Sequence, residues 1–358
     1  MGESAMPCIV VISDDLTGAN GIGGLLSRIC KTAVVNYGKH GYVSGGYECL
    51  VVNTNSRPIN GGEARARVEA VMRAFEGCVF GKRIDSALRG NVEDELMPFV
   101  ERGLGVVLTD TIPEYGRYTR GGFTVVGGVK DSILGRFSRI KAIPLGSINE
   151  ADRLGRFNGL ILVVDSSTHE DLRRIAEFTV DKGLVPADPL YLIAYSIQAR
   201  LGRPMSSRGI SLRVGSIAYV VGSTHEVTLR QIKYAEANGV QVVELARLAG
   251  EGYRLTQRPS RLIIRLNYIR DRTLINRDLV ELLADFDALV LSGGETANAV
   301  FEESGGLYIE GLTDIMPLVG VGVIRGGLLD GKVIVTKGGF IGGEDAYVRI
   351  LNFLTGHV

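Results

Sequence analysis

The chain has 358 residues, 45% hydrophobic and 22% charged, which suits two domains of roughly 100–200 residues each and excludes a disordered chain. Its 40 Lys and Arg balance 40 Asp and Glu, so no global basic field exists to gather nucleic acid or an anionic membrane, and small molecules are the expected partners. The 48 glycines exceed the usual share of roughly 7% without a collagen-like period, which points to turns where backbone approaches a ligand or another element.

The opening MGESAMPCIVVISDD lacks a basic leader and reaches an Asp pair after a short apolar run, as a strand does and a signal peptide does not. Further β-branched runs follow at 33–37, 49–53, 105–109 and 160–165. Between them lie helical patterns: 61–75 places Ala64, Val68, Val71, Met72 and Phe75 on one face, and 91–103 begins with Asn and acids and stops at a glycine. The same alternation returns at 217–223, 240–245, 262–266, 288–294 and 332–339. The fold class expected is α/β, two domains that are each a mainly parallel sheet flanked by helices. The aperiodic stretch 199–216, rich in Arg, Ser, Gly and Pro, is the expected link, dividing the chain into 1–205 and 206–358. No apolar stretch approaches the roughly 18 residues of a membrane span. Cys8, Cys30, Cys49 and Cys78 form no C-x-x-C pair, and three of them lie in or beside apolar runs as reduced core cysteines do, so a cytoplasmic protein is expected. His40, His169, His225 and His357 are scattered without metal spacing, which argues against a zinc hydrolase.

Three segments of the second half share a strand, small residues and an expected helix: VVGSTHEVTL, LVLSGGETANAV and VIVTKGGFIGGEDAYV. Helix N-termini offer unpaired N–H groups and partial positive charge, and glycine lets an anion come close, so such turns suit phosphates, and three together suit a nucleotide. Ser223, Gly293, Gly294, Glu295, Thr296, Lys337, Gly338 and Gly339 are the candidate nucleotide-binding residues, with Lys337 as a point charge for a phosphate. Ordinary N-caps and βα turns are the alternative. GGLLDGKV at 326–333 imitates a Walker motif, but Val333 replaces Ser/Thr and the segment leads into a strand. No G-x-G-x-x-G follows a strand, which argues against a dinucleotide-dependent dehydrogenase.

In the first half, Asp14 and Asp15 stand just past the first strand and are the catalytic candidates, able to accept a proton, bind hydroxyls or hold Mg²⁺; capping of the next helix is the alternative for one of them. Lys82, Arg83, Asp85, Ser86, Arg89 and Asn91 crowd ten residues around a turn, a mixture suited to a small polyhydroxylated acid, since Arg grips carboxylates and Asp accepts from hydroxyls. A solvated surface network is the alternative. Arg57 in NTNSRP, and Arg117 and Arg120 in TIPEYGRYTRGG, are weaker candidates.

DDLTGAN (14–20), KRIDSALRGN (82–91), GST…T…Q across 222–231, SGGETANAV (292–300) and TKGGFIGG (336–343) together resemble the four-carbon acid sugar kinase family, in the family's order and across nearly the whole chain. The chain departs from the family pattern at Gly21, Ile22 and Gly23, at Ala87 and in the 338–343 turn. The resemblance implies an N-terminal sugar-acid domain, a C-terminal ATP domain, an active site in the cleft between them, and phosphorylation of a terminal hydroxyl of threonate, erythronate or an oxo-tetronate. It implies that Asp14 or Asp15, Arg57, residues 82–85 and Arg89 face the acid, and that Ser223, residues 293–296 and Gly338 or Gly339 face ATP. With ATP and Mg²⁺ as cofactors, a kinase is the leading expectation, and a non-catalytic sensor of a nucleotide or sugar acid is the alternative. A homo-oligomer is left open.

Overall fold

The computed structural model describes residues 8–43, 46–206, 210, 212–255 and 257–356. In chain order the elements are β1 (Ile9–Ser13), α1 (Leu16–Leu26), β2 (Thr32–Asn36), β3 (Cys49–Asn53), α2 (Gly61–Ala74), β4 (Val79–Arg83), α3 (Val92–Glu101), β5 (Val106–Leu108), β6 (Tyr118–Arg120), β7 (Phe123–Val126), β8 (Val129–Ser132), β9 (Ala142–Leu145), β10 (Ile161–Val164), α4 (His169–Asp181), β11 (Val185–Asp188) and α5 (Tyr191–Leu201). The second half adds β12 (Ile217–Val221), α6 (Glu226–Ala237), β13 (Gln241–Glu244), α7 (Leu245–Gly250), β14 (Arg261–Arg265), α8 (Tyr268–Asp271), α9 (Arg277–Leu283), β15 (Ala288–Ser292), α10 (Gly294–Glu303), β16 (Tyr308–Met316), β17 (Val319–Arg325), β18 (Val333–Lys337) and α11 (Ala346–Thr355).

The described residues fall into two compact units. The first holds the chain up to Asp14, Ile29–Lys31 and Gly46–Ser206; the second holds Asp15–Arg28, Thr32–Gly45 and the chain from Ser207 on. The break near Ser206 lies beside the expected one, but 1–205 is not one contiguous unit, because α1 and β2 belong to the second. Their apolar surfaces explain this. All 11 residues of α1 are buried, and its glycines bring helix backbone against β16 and β17: a Cβ on Gly24 would stand 2.3 Å from the Thr313 carbonyl oxygen. β2 is buried along its whole length and pairs antiparallel with β16.

The first unit is built on parallel strands in the order β3-β1-β4-β11-β5-β10-β9. β1 and β10 are buried throughout, as continuous apolar runs in a helix-covered parallel sheet should be. Asn60 caps α2 by accepting from the Glu63 amide, and Thr168 with Asp171 closes a capping box on α4. β6, β7 and β8 form a separate antiparallel meander. In the second unit the order is β13-β14-β12-β15-β18-β17-β16-β2, parallel from β13 to β18 and antiparallel beyond. The α/β class holds in both units.

Two expectations are corrected. Cys8 and Cys78 are joined as a disulfide, while Cys30 and Cys49 are buried in the core; strands β1 and β4 lie side by side, so their flanking cysteines meet although 70 residues separate them. Cys8 and Cys78 therefore lend no support to a reducing compartment. The segment after β18 does not turn into a helix within three residues, since α11 begins only at Ala346. The 326–333 segment joins the antiparallel strands β17 and β18 as a turn. His357 lies outside the described residues. No helix among the described residues is long and apolar enough to cross a membrane.

Candidate functional site

Because β1, β3, β4, β5 and β11 run parallel, their C-terminal ends share one edge of the first unit's sheet, the edge at which open α/β sheets bind ligands. β1 delivers Asp14 there, the loop after β3 delivers Arg57, and β4 ends on Lys82 and Arg83 ahead of Asp85, Ser86 and Arg89. Arg57 bridges two carboxylates, with Nε 2.7 Å from Asp14 Oδ2 and Nη2 3.1 Å from Asp85 Oδ1. Arg83 Nη1 lies 3.0 Å from the other Asp14 oxygen, and Arg89 grips Asp85 through Nε and Nη2 at 2.7 and 2.8 Å. Burial alone would raise the Asp14 carboxyl, but the Arg57 and Arg83 charges outweigh it and hold the group below its ordinary value. Asp85 is likewise held low, with Arg89 and Arg57 overcoming burial. The cluster is buried rather than a solvated surface network: Asp14, Arg83, Asp85 and Ser86 are all buried, and only Arg89 is half exposed.

Lys82 and Asn91, expected to face a ligand, are instead committed to the protein. The Lys82 ammonium is wholly buried, 2.8 Å from Glu95 Oε2, and donates to the Arg83 carbonyl. Glu95 also accepts from Ser56. Asn91 donates to the carbonyls of Ser56 and Ile59, which fixes the loop carrying Arg57. Both residues shape the site from behind.

Sequence reasoning missed two carboxyls on the same edge. Asp110, two residues past β5, accepts from Arg117 Nη1 at 2.9 Å and from the Thr124 hydroxyl at 2.6 Å through Oδ2, while its buried Oδ1 has no hydrogen-bond partner. Burial, partly offset by Arg117 and Thr124 and reinforced by Asp85, raises Asp110 to about 7. Asp188, at the end of β11, accepts from the Leu192 and Ile193 amides at the start of α5, yet burial still pushes it to about 6. The signal for Asp110 was its position just past a strand, the one that singled out Asp14. Arg117 sits on this carboxyl, whereas Arg120 lies on the meander.

In the second unit, β12, β15 and β18 are parallel neighbours whose last residues align: Val221 with Ser292, and Ser292 with Lys337. The following turns therefore start at one level and bond to each other, Gly222 N–H to the Ser292 carbonyl and Gly293 N–H to the Lys337 carbonyl. A Cβ on Gly222 would lie 1.9 Å from Thr296 Oγ1, so glycine is needed there. The Thr228 hydroxyl links Ser223 to the Gly339 carbonyl. A cleft of about 350 Å³ opens along residues 222–225, 267–269 and 293–296. α10 begins in it, and its N-cap Gly293 (φ +107°) supplies no side chain to the first-turn amides. His225 caps α6 with its Nδ1.

Asp15 belongs to this second cluster. It caps α1, accepting from the Gly18 amide at 3.0 Å and the Thr17 hydroxyl at 2.6 Å. A Cβ on Gly294 would come 2.5 Å from Asp15 Oδ2, so the carboxylate lies against the first residue of α10. Lys337 departs from the phosphate contact expected of it. Its buried ammonium donates to the carbonyls of Gly338 and Ile341 at 2.9 and 3.1 Å and lies 5.1 Å from the Tyr347 ring centre. Burial lowers its pKa to about 7. Gln231 adds donations to the carbonyls of Ile341, Gly342 and Gly343. Lys337 thus pins the 338–343 loop rather than reaching into the cleft.

A family described as a sugar-binding N-terminal domain matches residues 9–134. The chain is 27% identical to a D-erythronate kinase of Heliobacterium modesticaldum, over 98% of this chain and 97% of that protein. It is 26% identical to a D-threonate kinase of Salmonella typhimurium, over 97% of this chain and 98% of that protein. Its fold is similar to that of Haemophilus influenzae protein HI1011, with a TM-score of 0.67 at 18% identity over 96% of this chain and 100% of the other. A second solved structure, from Salmonella typhimurium LT2, gives a TM-score of 0.73 at 18% identity over 96% and 98%.

Proposed function

We propose that this chain, a member of the four-carbon acid sugar kinase family, transfers the terminal phosphoryl group of ATP to a terminal hydroxyl of a small sugar acid such as erythronate or threonate. The observation that carries the reading is the cleft of the second unit, where the turn after β12 and the N-terminus of α10 stand side by side around glycines against which the Thr296 and Asp15 side chains pack. Main-chain amides and a helix dipole suit a polyphosphate. The curated kinases similar to this chain over their full lengths support the same reading.

The first unit's cluster suits the acceptor. The half-exposed Arg89 guanidinium suits a carboxylate, and Asp85, Asp110 and Ser86 offer partners to hydroxyls. Asp14, locked between two guanidinium groups and held ionised, is a poor proton acceptor and orients Arg57 and Arg83. Asp15, lying against the turn that starts α10, is the residue assigned to orient the acceptor hydroxyl and take its proton. Among the described residues no three His, Cys, Asp or Glu side chains gather as a metal cage, which suits Mg²⁺ held mainly by phosphates with one or two carboxylates. Glu295, in the first turn of α10, would hold it, and its charge would offset that of the transferred group.

The test is incubation of the purified protein with Mg-ATP and a panel of four-carbon acids while ADP release is followed. Turnover of at least one acid is expected. ATP binding with no turnover across the panel favours a sensor, and absence of ATP binding overturns the nucleotide assignment.

A further inference from the structure

The cleft of the second unit has a third wall that the phosphate reading leaves unused. Residues 267–269 line it together with the turns at 222–225 and 293–296. Ile269 there is 94% exposed, the most exposed of the large hydrophobic residues among those described. Single exposed apolar residues are ordinary on a protein surface. This one stands on α8, which is fixed locally: the Asn267 amide donates to Asp271 Oδ2 at 3.0 Å, and Arg270 Nε holds Asp271 at 2.8 Å. Tyr268 lies beside it, its ring 5.8 Å from the Arg272 guanidinium carbon and its hydroxyl within electrostatic reach of Glu295 in the first turn of α10. An exposed apolar side chain and a half-buried aromatic ring thus stand at the lip of a cleft whose other walls are the glycine-bearing turns at 222–225 and 293–296.

We infer that Tyr268 and Ile269 form the base platform of this cleft, covering a face of the nucleotide's purine ring while the glycine turns take its phosphates. The inference rests on the nucleotide reading and adds the group that separates a nucleoside triphosphate from any other polyphosphate. Flat aromatic rings bury apolar area efficiently against such side chains, and base stacking is insensitive to the identity of the base.

Titration calorimetry with two probes, ATP and inorganic tripolyphosphate, tests it. Ile269→Ser and Tyr268→Ala should each weaken ATP about tenfold and leave tripolyphosphate unchanged, whereas Ile269→Phe should retain ATP affinity. Unchanged ATP affinity in both truncated variants, or equal weakening of the two ligands, overturns the platform. So does a wild-type protein that binds both probes equally well, which would leave the phosphate assignment standing. A wild-type protein that binds neither overturns the nucleotide reading itself.

Discussion

The first unit gathers Arg57, Arg83 and Arg89 against Asp14 and Asp85, with Lys82 and Glu95 behind them, and nearly all of these groups are buried. The second unit brings together the turns after β12 and β15 with few charges among them, and its approach surface is main chain. A cluster built from side chains is sensitive to deletion, since removing one ion leaves its partner buried and unpaired. A surface built from backbone is sensitive to addition, since each new Cβ enters space that Thr296 or Asp15 already fills. The pair Asp14–Asp15 shows both regimes in consecutive residues: the first is neutralised by two guanidinium groups, the second accepts from a hydroxyl and an amide beside a glycine.

The largest effect should come from Arg83→Met, which leaves Asp14 with one cation fewer in a buried site. We expect a loss of about 3–5 kcal/mol of stability in urea unfolding, and a loss below about 1 kcal/mol, the range of exposed pairs, would show that the cluster is not electrostatically tight. Gly294→Val should weaken ATP roughly 100-fold, a shift of about 2.7 kcal/mol, and the sugar acid, which Asp15 touches at one hydroxyl only, far less; equal loss of both ligands would erase the contrast between the sites.

The third test uses pH. Asp110 is raised to about 7 in the folded protein, so the folded state holds this proton more tightly than the unfolded chain. Its stabilising contribution is complete below the ordinary carboxylate value and is lost as pH climbs through about 7, with a slope approaching about 1.4 kcal/mol per pH unit. Denaturation midpoints measured between pH 4 and 8 should fall along that slope in the wild type and flatten in Asp110→Asn, with Asp188 supplying a remnant below about 6. An unchanged profile would remove Asp110 from the titrating part of the cluster. The smallest effect belongs to Arg89→Ala: its half-exposed ion pair should contribute less than about 1 kcal/mol to stability, while the KM for the acid rises about tenfold and ATP binding is unaffected.

Much of this was readable in the chain. Apolar runs such as IVVIS and ALVLS announced central parallel strands, because a strand covered on both faces needs no polar positions. β4 and β11 escaped notice because VFGKR and VPAD carry charge or proline that turns apolar only in company: Lys82 is neutralised by Glu95, Arg83 by Asp14, and Asp188 by two amides. The β16–β17 hairpin was hidden by its spaced glycines and charged residues.

Residue types, their periodicity and the clustering of Asp, Arg and Gly at strand ends belong to the sequence alone, since local geometry and burial follow from neighbours a few positions away. Only the tertiary structure decided that α1 packs with the second unit, that Asp14 and Asp15 part company, that Lys82, Asn91 and Lys337 serve the protein's own frame, and that Cys8 meets Cys78. Each of those outcomes depends on which partner stands within a few ångströms, and the partners come from strands and helices tens to hundreds of residues away, brought close by sheet order and by the burial of apolar faces rather than by anything the local pattern encodes.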